Sequence, residues 1–143
     1  MTRDTLGDVG NLVLRLVTGG LMLFHGADKL MHGLDHVRSD LAAAGLPTAL
    51  AHGVYVGEIL APICIIFGLW TRVSAVVYAG SIALAVAIVH GRDFARLAPT
   101  GAWAAELWVF YILCPVVIAL LGGGRFSLDR LLLPRVSAVE RDG

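Results

Sequence analysis

Charged residues are scarce in this 143-residue chain: Asp, Glu, Lys and Arg make up 15% of it and cancel to no formal net charge. Without a basic excess, the chain lacks the electrostatic footprint of a nucleic-acid-binding protein. The scarcity also leaves too few polar residues to cover the surface of a soluble protein. With 57% hydrophobic residues and a mean hydropathy of +0.79, the composition is typical of a membrane protein.

Cysteine is also rare, with Cys64 and Cys114 as its two occurrences. They lie far apart inside apolar runs and form no CxxC pair, which excludes a disulfide framework and a zinc ribbon. We expect both thiols to be unreactive packing groups, because burial in apolar surroundings disfavours the thiolate. A cleaved signal peptide at the N-terminus is disfavoured, since Arg15 interrupts the first apolar run and no small-x-small cleavage site follows cleanly.

Four apolar segments dominate the chain, each near the roughly 20 residues that cross a bilayer as a helix. Backbone groups in lipid must be satisfied internally, and segments of this length achieve that only as helices. The sequence therefore predicts an all-α integral membrane four-helix bundle, a single domain over residues 1–143. The predicted helices cover residues 9–31, 50–69, 73–89 and 102–121.

The connections carry most of the basic residues. Residues 32–49 form a longer polar loop, Trp70–Arg72 a tight turn, and residues 125–133 a short amphipathic segment that lies in the membrane interface and is capped by Ser127. The two faces of the bundle carry Arg3, Arg72, Arg125, Arg130, Arg135 and Arg141 against Lys29, Arg38, Arg92 and Arg96. This excess predicts a multi-pass protein of a bacterial-type inner membrane with both termini in the cytoplasm.

Several ionisable residues fall inside the apolar segments, where each costs about 2.5–3.5 kcal/mol and usually faces protein or water. Counting about 1.5 Å of rise per residue places five of them in the outer half of the bundle. Arg15 lies about 15 Å deeper. The five are His25, Lys29, Glu58, His90 and Glu106. All four helices contribute to this layer, so we expect a ligand-binding or proton-handling site formed by His25, Glu58, His90 and Glu106, with Arg15 and Lys29 as supporting charges.

The first helix carries its polar and small residues on one side, which predicts that this side faces the bundle interior. Gly19, Gly26 and Gly33 flank the wedge that holds Arg15 and His25, and glycines allow a neighbouring helix to approach closely. Lys29 lies nearer the interface, where its stem can reach water, so it carries less weight than His25. Pro62 and Pro115 cannot donate to the carbonyls four residues earlier, which predicts bends below the polar layer.

Two other interpretations of these residues stay open. The charged groups would serve purely as interhelical glue if Glu58 pairs with Lys29 or Arg15 and Glu106 with His90. His25, His32 and His36 lie at helical intervals that suit a metal. Because Gly33 and Asp35 interrupt the helix there, we predict solvated loop histidines and no metal site.

The sequence resembles the DoxX family of small four-helix bacterial and archaeal membrane proteins. The resemblance lies in LVLRLVTGGLMLFHGADKL (12–30), GLPTALAHGVYVGEILAPICIIFGLWTR (45–72), His90, GAWAAELWVFYIL (101–113) and GGGRFSLDRLL (122–132). These pieces span nearly the whole chain and are specific in combination. The resemblance implies a four-helix bundle linked to redox chemistry, since the family is named after a subunit associated with a thiosulfate:quinone oxidoreductase or quinol oxidase. Other members look like partners of thiol and oxidative-stress proteins.

Three functions are compatible with these features. The leading hypothesis is a redox-associated membrane protein with a quinone or other small-molecule pocket, in which His25 or His90 bonds a quinone oxygen and Glu58 and Glu106 accept or pass protons. No flavin, haem or dinucleotide motif is visible, so electrons would come from a bound quinone or from a redox partner subunit in the membrane or periplasm. The alternatives are a non-catalytic assembly subunit and a small carrier or proton path. Homo-oligomerisation is left open.

Overall fold

Long helices run through most of the protein. The computed structural model describes the backbone of residues 3–132 and, within that range, all side chains except those of Arg3, Arg92 and Asp93. The predicted domain range 1–143, residue 133 of the predicted interfacial segment, and Arg135 and Arg141 of the charge count therefore extend outside the described residues. Within the described range the all-α prediction is confirmed: the sole β feature is an isolated bridge between Leu97 and Trp103.

Within residues 3–132, six helical segments and a short 3₁₀ helix at Gly91–Ala95 follow one another. We label them α1 (Arg3–His32), α2 (Asp35–Ala43), α3 (Thr48–Phe67), α4 (Thr71–Val89), α5 (Glu106–Leu121) and α6 (Leu128–Leu132). Three of them, α1, α3 and α4, are long and apolar enough to cross a membrane, and α5 is a shorter apolar helix of 16 residues. These features confirm the membrane-bundle class that the composition predicts.

Two boundaries differ from the predictions. Helix α1 begins at Arg3 instead of residue 9, because the polar first turn continues the helix without a break. Helix α5 begins at Glu106, four residues later than predicted. A turn precedes it, in which Ala98 and Ala102 share a backbone hydrogen bond of 2.8 Å and Gly101 has a positive φ of 84°. That φ value is one that glycine adopts without strain and most other residues avoid.

The main core lies where α1, α3, α4 and α5 meet. It is built around Tyr78, Ile65, Ile118 and Met22. Helix α4 packs against α3 and α5, and α1 packs against α3 and α5. Outward-facing side chains remain large and apolar, as Phe24, Phe110 and Leu120 illustrate. Apolar residues on both the inner and the outer sides of helices are expected in a bundle that lipid surrounds.

Helix α2 was not predicted, because residues 32–49 looked like a polar loop. Its Leu41 is buried together with Leu34 and Ala51, and partly buried Val37 and Ile88 pack against them. This second cluster joins α2 to the start of α3 and the end of α4. Helix α2 has few apolar residues among many polar ones, so hydropathy gave no sign of it. Gly33, with a φ of 84°, separates α2 from α1.

Close packing of α1 against α3 was predicted from three glycines, Gly19, Gly26 and Gly33, and two of them, Gly19 and Gly26, lie at this contact. An added Cβ on Gly19 would crowd Pro62, and one on Gly26 would overlap the carbonyl of Glu58. Gly33 is different, since nothing lies within 4 Å of its added Cβ. Gly33 terminates α1 and contributes no helix packing.

Gly57 offers a direct test of this close packing. An added Cβ would overlap Oγ of Ser81 on α4, so Gly57→Ala is expected to lower the free energy of unfolding by about 1–3 kcal/mol. Gly80→Ala is the matched control: it lies in α4 with nothing within 4 Å, and loss of a helical glycine there should stabilise by about 0.5–1 kcal/mol. Denaturant titration in mixed micelles measures both, and equal stabilities would contradict the tight α3–α4 contact.

Candidate functional site

Glu58 is placed by an irregular turn of α3. Residues Val56–Leu60 form a π-helical turn between regular helical pieces, and the N–H of Ala61 donates to the carbonyl of Val56. Pro62, just beyond, has no N–H to donate to the carbonyl of Glu58, which removes the regular helical bond at this point. Turns of this type are rare and occur frequently at functional sites. The proline therefore produces a local π turn, where the sequence predicted a bend.

Lys29 and Glu58 form an ion pair that joins α1 to α3. Nζ of Lys29 donates to Oε1 of Glu58, and their side chains are 18% and 7% exposed. Lys29 therefore does not reach out to the interface as predicted, and it forms the pair with Glu58 that the glue interpretation names. A carboxylate at this depth is a stronger attraction for the ammonium group than water beyond the helix end, because low local polarity strengthens the pair.

The second carboxylate oxygen of Glu58 has no hydrogen-bond partner. Among the described side chains, Oε2 of Glu58 and Oδ1 of Asn11 are the buried polar atoms left in this state. An unsatisfied buried acceptor costs about 1–3 kcal/mol, and more when it is charged. Each such atom in a folded protein calls for an explanation, and an absent ligand is one of them.

A cavity of about 500 Å³ adjoins this carboxylate. Four of the predicted site residues line it, namely His25, Lys29, Glu58 and His90. Helix α2 contributes His36 and Asp40 at one side, and apolar residues of α4 contribute much of the remaining wall. The volume falls within the 300–1,000 Å³ typical of small-molecule sites, which are also mostly apolar with a few polar groups.

Aromatic side chains of α5 complete the wall. The ring of Tyr111 meets His25 edge-on with centroids 5.5 Å apart, and Nε2 of His25 lies 3.3 Å from the Tyr111 hydroxyl. The ring of Trp108 stacks on His90 with centroids 4.4 Å apart. Sequence reasoning missed both aromatic residues. Their spacing of three on one helical face was the available signal, since residues three apart are neighbours on a helix surface.

Glu106 and Arg15 lie away from the cavity. Glu106 is exposed at the first residue of α5 and is absent from the cavity wall. The depth count placed it deeper because it assumed that the helix began at residue 102. Arg15 is 1% exposed at the opposite end of the bundle, so it does not balance the charge of Glu58.

Arg15 instead binds backbone carbonyls. Its guanidinium donates to Ile65 and Ile66 at the end of α3, at 2.8 and 2.9 Å, and to Gly123 and Phe126 after α5. Gly68, with a φ of 69°, ends α3 here, and a Cβ on it would overlap Nη2 of Arg15. We call this arrangement the Arg15 clasp. It supplies donors to carbonyls at the end of α3, where regular helical hydrogen bonding stops, and the Ile65 carbonyl also accepts from the N–H of Gly68 at 3.1 Å.

Asp129 of α6 lies near the Arg15 clasp and binds the start of α4. Its carboxylate accepts from the backbone N–H groups of Trp70 and Thr71, at 2.6 and 2.8 Å, and from the Thr71 hydroxyl. It thereby caps the first turn of α4 from a distant part of the chain. Trp70 itself is exposed in the turn, with a left-handed φ of 44°. Ser127 caps α6 through a long bond of 3.4 Å from the Arg130 N–H, in line with its predicted role.

The histidines considered for a metal do not gather. His32 pairs with Asp28, 2.9 Å away, while His25 contacts Tyr111. Among the described side chains, no group of three or more His, Cys, Asp or Glu is arranged to hold a metal ion. Both cysteines are free thiols.

Comparisons with known proteins agree with this architecture. The sequence profile described as DoxX matches residues 10–91. The chain is 27% identical over 122 residues to a protein of Bacillus subtilis (strain 168) named "Putative oxidoreductase CatD", and the alignment covers 85% of this chain and 86% of that protein. No solved structure matches the chain. Because the profile match spans more than half of the chain, the protein belongs to the DoxX family.

Proposed function

We propose that this DoxX-type membrane protein binds a quinone or a similar small redox-active molecule in the cavity beside Glu58. One observation carries the proposal: the buried carboxylate of Glu58, one oxygen of which has no hydrogen-bond partner, belongs to a residue that lines a largely apolar cavity of ligand size. A packed helical bundle gains nothing from leaving such a space open, since interiors are normally close-packed. The printed name of the Bacillus relative, which describes an oxidoreductase, supports a redox setting.

The groups around the cavity suit a ring that carries polar oxygens. His25 and His90, which both line the cavity, would form hydrogen bonds to ligand oxygens, and Glu58 would accept or pass a proton. Lys29 would hold the charge of Glu58 in place through the ion pair. The apolar wall from α4 would contact the ring and the first part of a hydrocarbon tail. Electrons would enter or leave through the ligand or a partner subunit, because the chain carries no recognisable electron-carrier motif.

The setting we propose is a bacterial-type inner membrane with both termini in the cytoplasm, which places the cavity in the outer half of the bilayer. The count of basic residues in the sequence supports this orientation, because Arg135 and Arg141 bring the N-terminus, the turn at Trp70–Arg72 and the C-terminus to six against four for the other two loops. To measure the orientation, single cysteines are introduced at Asp28 and at Arg125 in a chain without Cys64 and Cys114. Intact cells are then treated with a membrane-impermeant thiol reagent, and labelling at each position is compared. Labelling at Arg125 but not at Asp28 would reverse the orientation.

Ligand extraction tests the proposal. The protein purified in mild detergent should carry extractable quinone, or bind an added benzoquinone with a ten-carbon tail above the level of empty lipid nanodiscs. Glu58→Gln should weaken this binding about tenfold or more, because it removes the anion that holds the Lys29 ammonium group, a donor to a quinone oxygen, at the cavity wall. Glu106→Gln applies the same change to an exposed residue outside the cavity and should leave binding unchanged.

An assembly subunit without a ligand is the second candidate, and the interhelical Lys29–Glu58 pair favours it as a structural element. In that case Glu58→Gln lowers the folded yield while the wild-type protein binds no quinone. If the wild-type protein binds quinone and a folded Glu58→Gln variant does not, the ligand-binding cavity is supported. If the wild-type protein binds no quinone, the ligand-binding proposal is excluded.

A further inference from the structure

We propose that the clasp end of the bundle binds the headgroup of an anionic phospholipid from the surrounding bilayer. The binding surface, which we call the basic rim, consists of Arg72, Arg125 and Arg130. It lies at the opposite end of the bundle from the cavity and shares no residue with it. The proposal is therefore independent of the proposed function.

Asp129 holds the backbone of Arg130 close to that of Arg72. Its carboxylate accepts from the backbone N–H of Thr71 at 2.8 Å and from the Thr71 hydroxyl at 2.6 Å. Asp129 directly precedes Arg130 in the chain, and Thr71 directly precedes Arg72. The start of α6 and the start of α4 thus each bring one arginine to the same place.

The glycine turn after α5 adds Arg125 to the rim. A Cβ on Gly122, three residues before Arg125, would lie 3.2 Å from Nε of Arg72. The N–H of Arg125 donates to Oδ1 of Asp8 at 3.0 Å, which fixes this turn against α1. The three backbone positions are held by the fold itself, so binding a headgroup has to order side chains alone.

The positive charges of the rim are exposed and unpaired. All three arginines are exposed, and in the part of the chain that the structure describes none of them forms an ion pair. Asp129, the one acidic residue within 122–132, turns its carboxylate to the backbone of α4. Guanidinium groups stay charged and match phosphate oxygens in geometry. Three of them attract an anionic headgroup and repel the ammonium group of a zwitterionic one.

Large apolar side chains beside the rim identify the occupant as a lipid. Trp70, Phe126 and Leu131 are 72%, 47% and 79% exposed. Tryptophan is enriched at membrane interfaces, and a segment that mixes basic residues with Phe and Leu suits the boundary between headgroups and acyl chains. A soluble phosphate would leave these side chains in water, whereas a phospholipid covers them with its acyl chains.

The test counts the lipids that stay with the full-length protein after extraction from bilayers. The protein is reconstituted in equimolar phosphatidylglycerol and phosphatidylcholine and extracted in a neutral detergent, and bound lipids are identified by native mass spectrometry. We expect phosphatidylglycerol to be retained about tenfold or more over phosphatidylcholine, since each arginine near an anionic headgroup contributes about fivefold. Equal retention by the wild-type protein would overturn the proposal and point to an acidic protein segment as the occupant.

Arg72→Gln combined with Arg125→Gln should lower this retention ratio about fivefold or more. Arg38→Gln combined with Arg96→Gln removes the same number of exposed positive charges away from the rim and should lower it less than about twofold, because Arg38 is already paired with Asp35. Equal losses in the two double variants would contradict a site at the rim.

Two further measurements separate charge from packing and a lipid from a soluble anion. Arg72→Lys combined with Arg125→Lys keeps both charges, so its ratio should stay within about threefold of wild type. A ratio as low as that of the glutamine variant would contradict binding by charge. Excess glycerophosphoglycerol, the same headgroup without acyl chains, should not displace the lipid. Displacement would show a site for soluble phosphate and overturn the lipid proposal.

Discussion

Arg15→Met is expected to lower the free energy of unfolding by about 3–5 kcal/mol, because four hydrogen bonds from one buried charged group are lost together. The guanidinium binds carbonyls of Ile65 and Ile66 on α3 and of Gly123 and Phe126 after α5. Methionine fills a similar volume but donates nothing, so these carbonyls lose a donor together. Because the clasp joins three separate parts of the chain, its loss should loosen the end of α3 and the segment that leads to α6.

Arg38→Met is the matched control for this substitution. Arg38 lies on α2, where it forms an exposed pair with Asp35 at 3.1 Å. Exposed pairs of this type contribute about 0.3–0.5 kcal/mol, so the variant should remain close to wild type. Denaturant titration in mixed micelles measures both variants, and folded yield after size-exclusion chromatography gives a second readout. A loss below about 1 kcal/mol for Arg15→Met would show that the carbonyls find other donors easily.

The Lys29–Glu58 pair should behave as a coupled unit. Lys29→Met leaves a carboxylate buried without its cation, and Glu58→Leu leaves the ammonium group without its anion. Each single variant is therefore expected to lose about 3–5 kcal/mol of unfolding free energy. The double variant should recover to within about 1.5 kcal/mol of wild type, because replacing a buried pair by apolar residues is often neutral.

The coupling energy from this double-mutant cycle is the quantity to measure, and we expect about 2 kcal/mol or more. Glu106→Leu combined with Lys29→Met supplies the control cycle, since Glu106 lies outside the cavity at the start of α5. Additive losses in the Lys29–Glu58 cycle would contradict a mutual interaction. The same double variant in the ligand assay separates stability from binding, because it retains the bundle but removes the polar centre.

Hydropathy predicted the long helices, because apolar length is a local property of the chain. It failed at α2, whose few apolar residues acquire meaning only when Leu41 meets Leu34 and Ala51 from outside the segment. It also began α5 too early, since Ala102 and Trp103 are apolar yet belong to the turn closed by the Leu97–Trp103 bridge. Hydropathy indicates which residues avoid water, but where a helix begins or ends depends on contacts with other segments of the chain.

The candidate site was predictable in part for a related reason. Depth counting along helices brought His25, Glu58 and His90 to one level, and all three line the cavity. A count of rise per residue gives depth but not orientation, so it named Lys29 and Arg15 equally as partners of Glu58 and could not choose Lys29, which forms the pair. Depth counting assigned Arg15 to charge balance, whereas its partners are backbone carbonyls. Every residue has a carbonyl, so the sequence carries no signal for such partners.

The cap that Asp129 places on α4 has a consequence for the order in which the protein matures during synthesis. Asp129, the hydrogen-bond partner of Thr71, is synthesised 58 residues after it. At the roughly 5–20 residues per second of translation, this interval lasts about 3–12 s. During that time the backbone N–H groups of Trp70 and Thr71 lack the carboxylate that caps them in the folded protein.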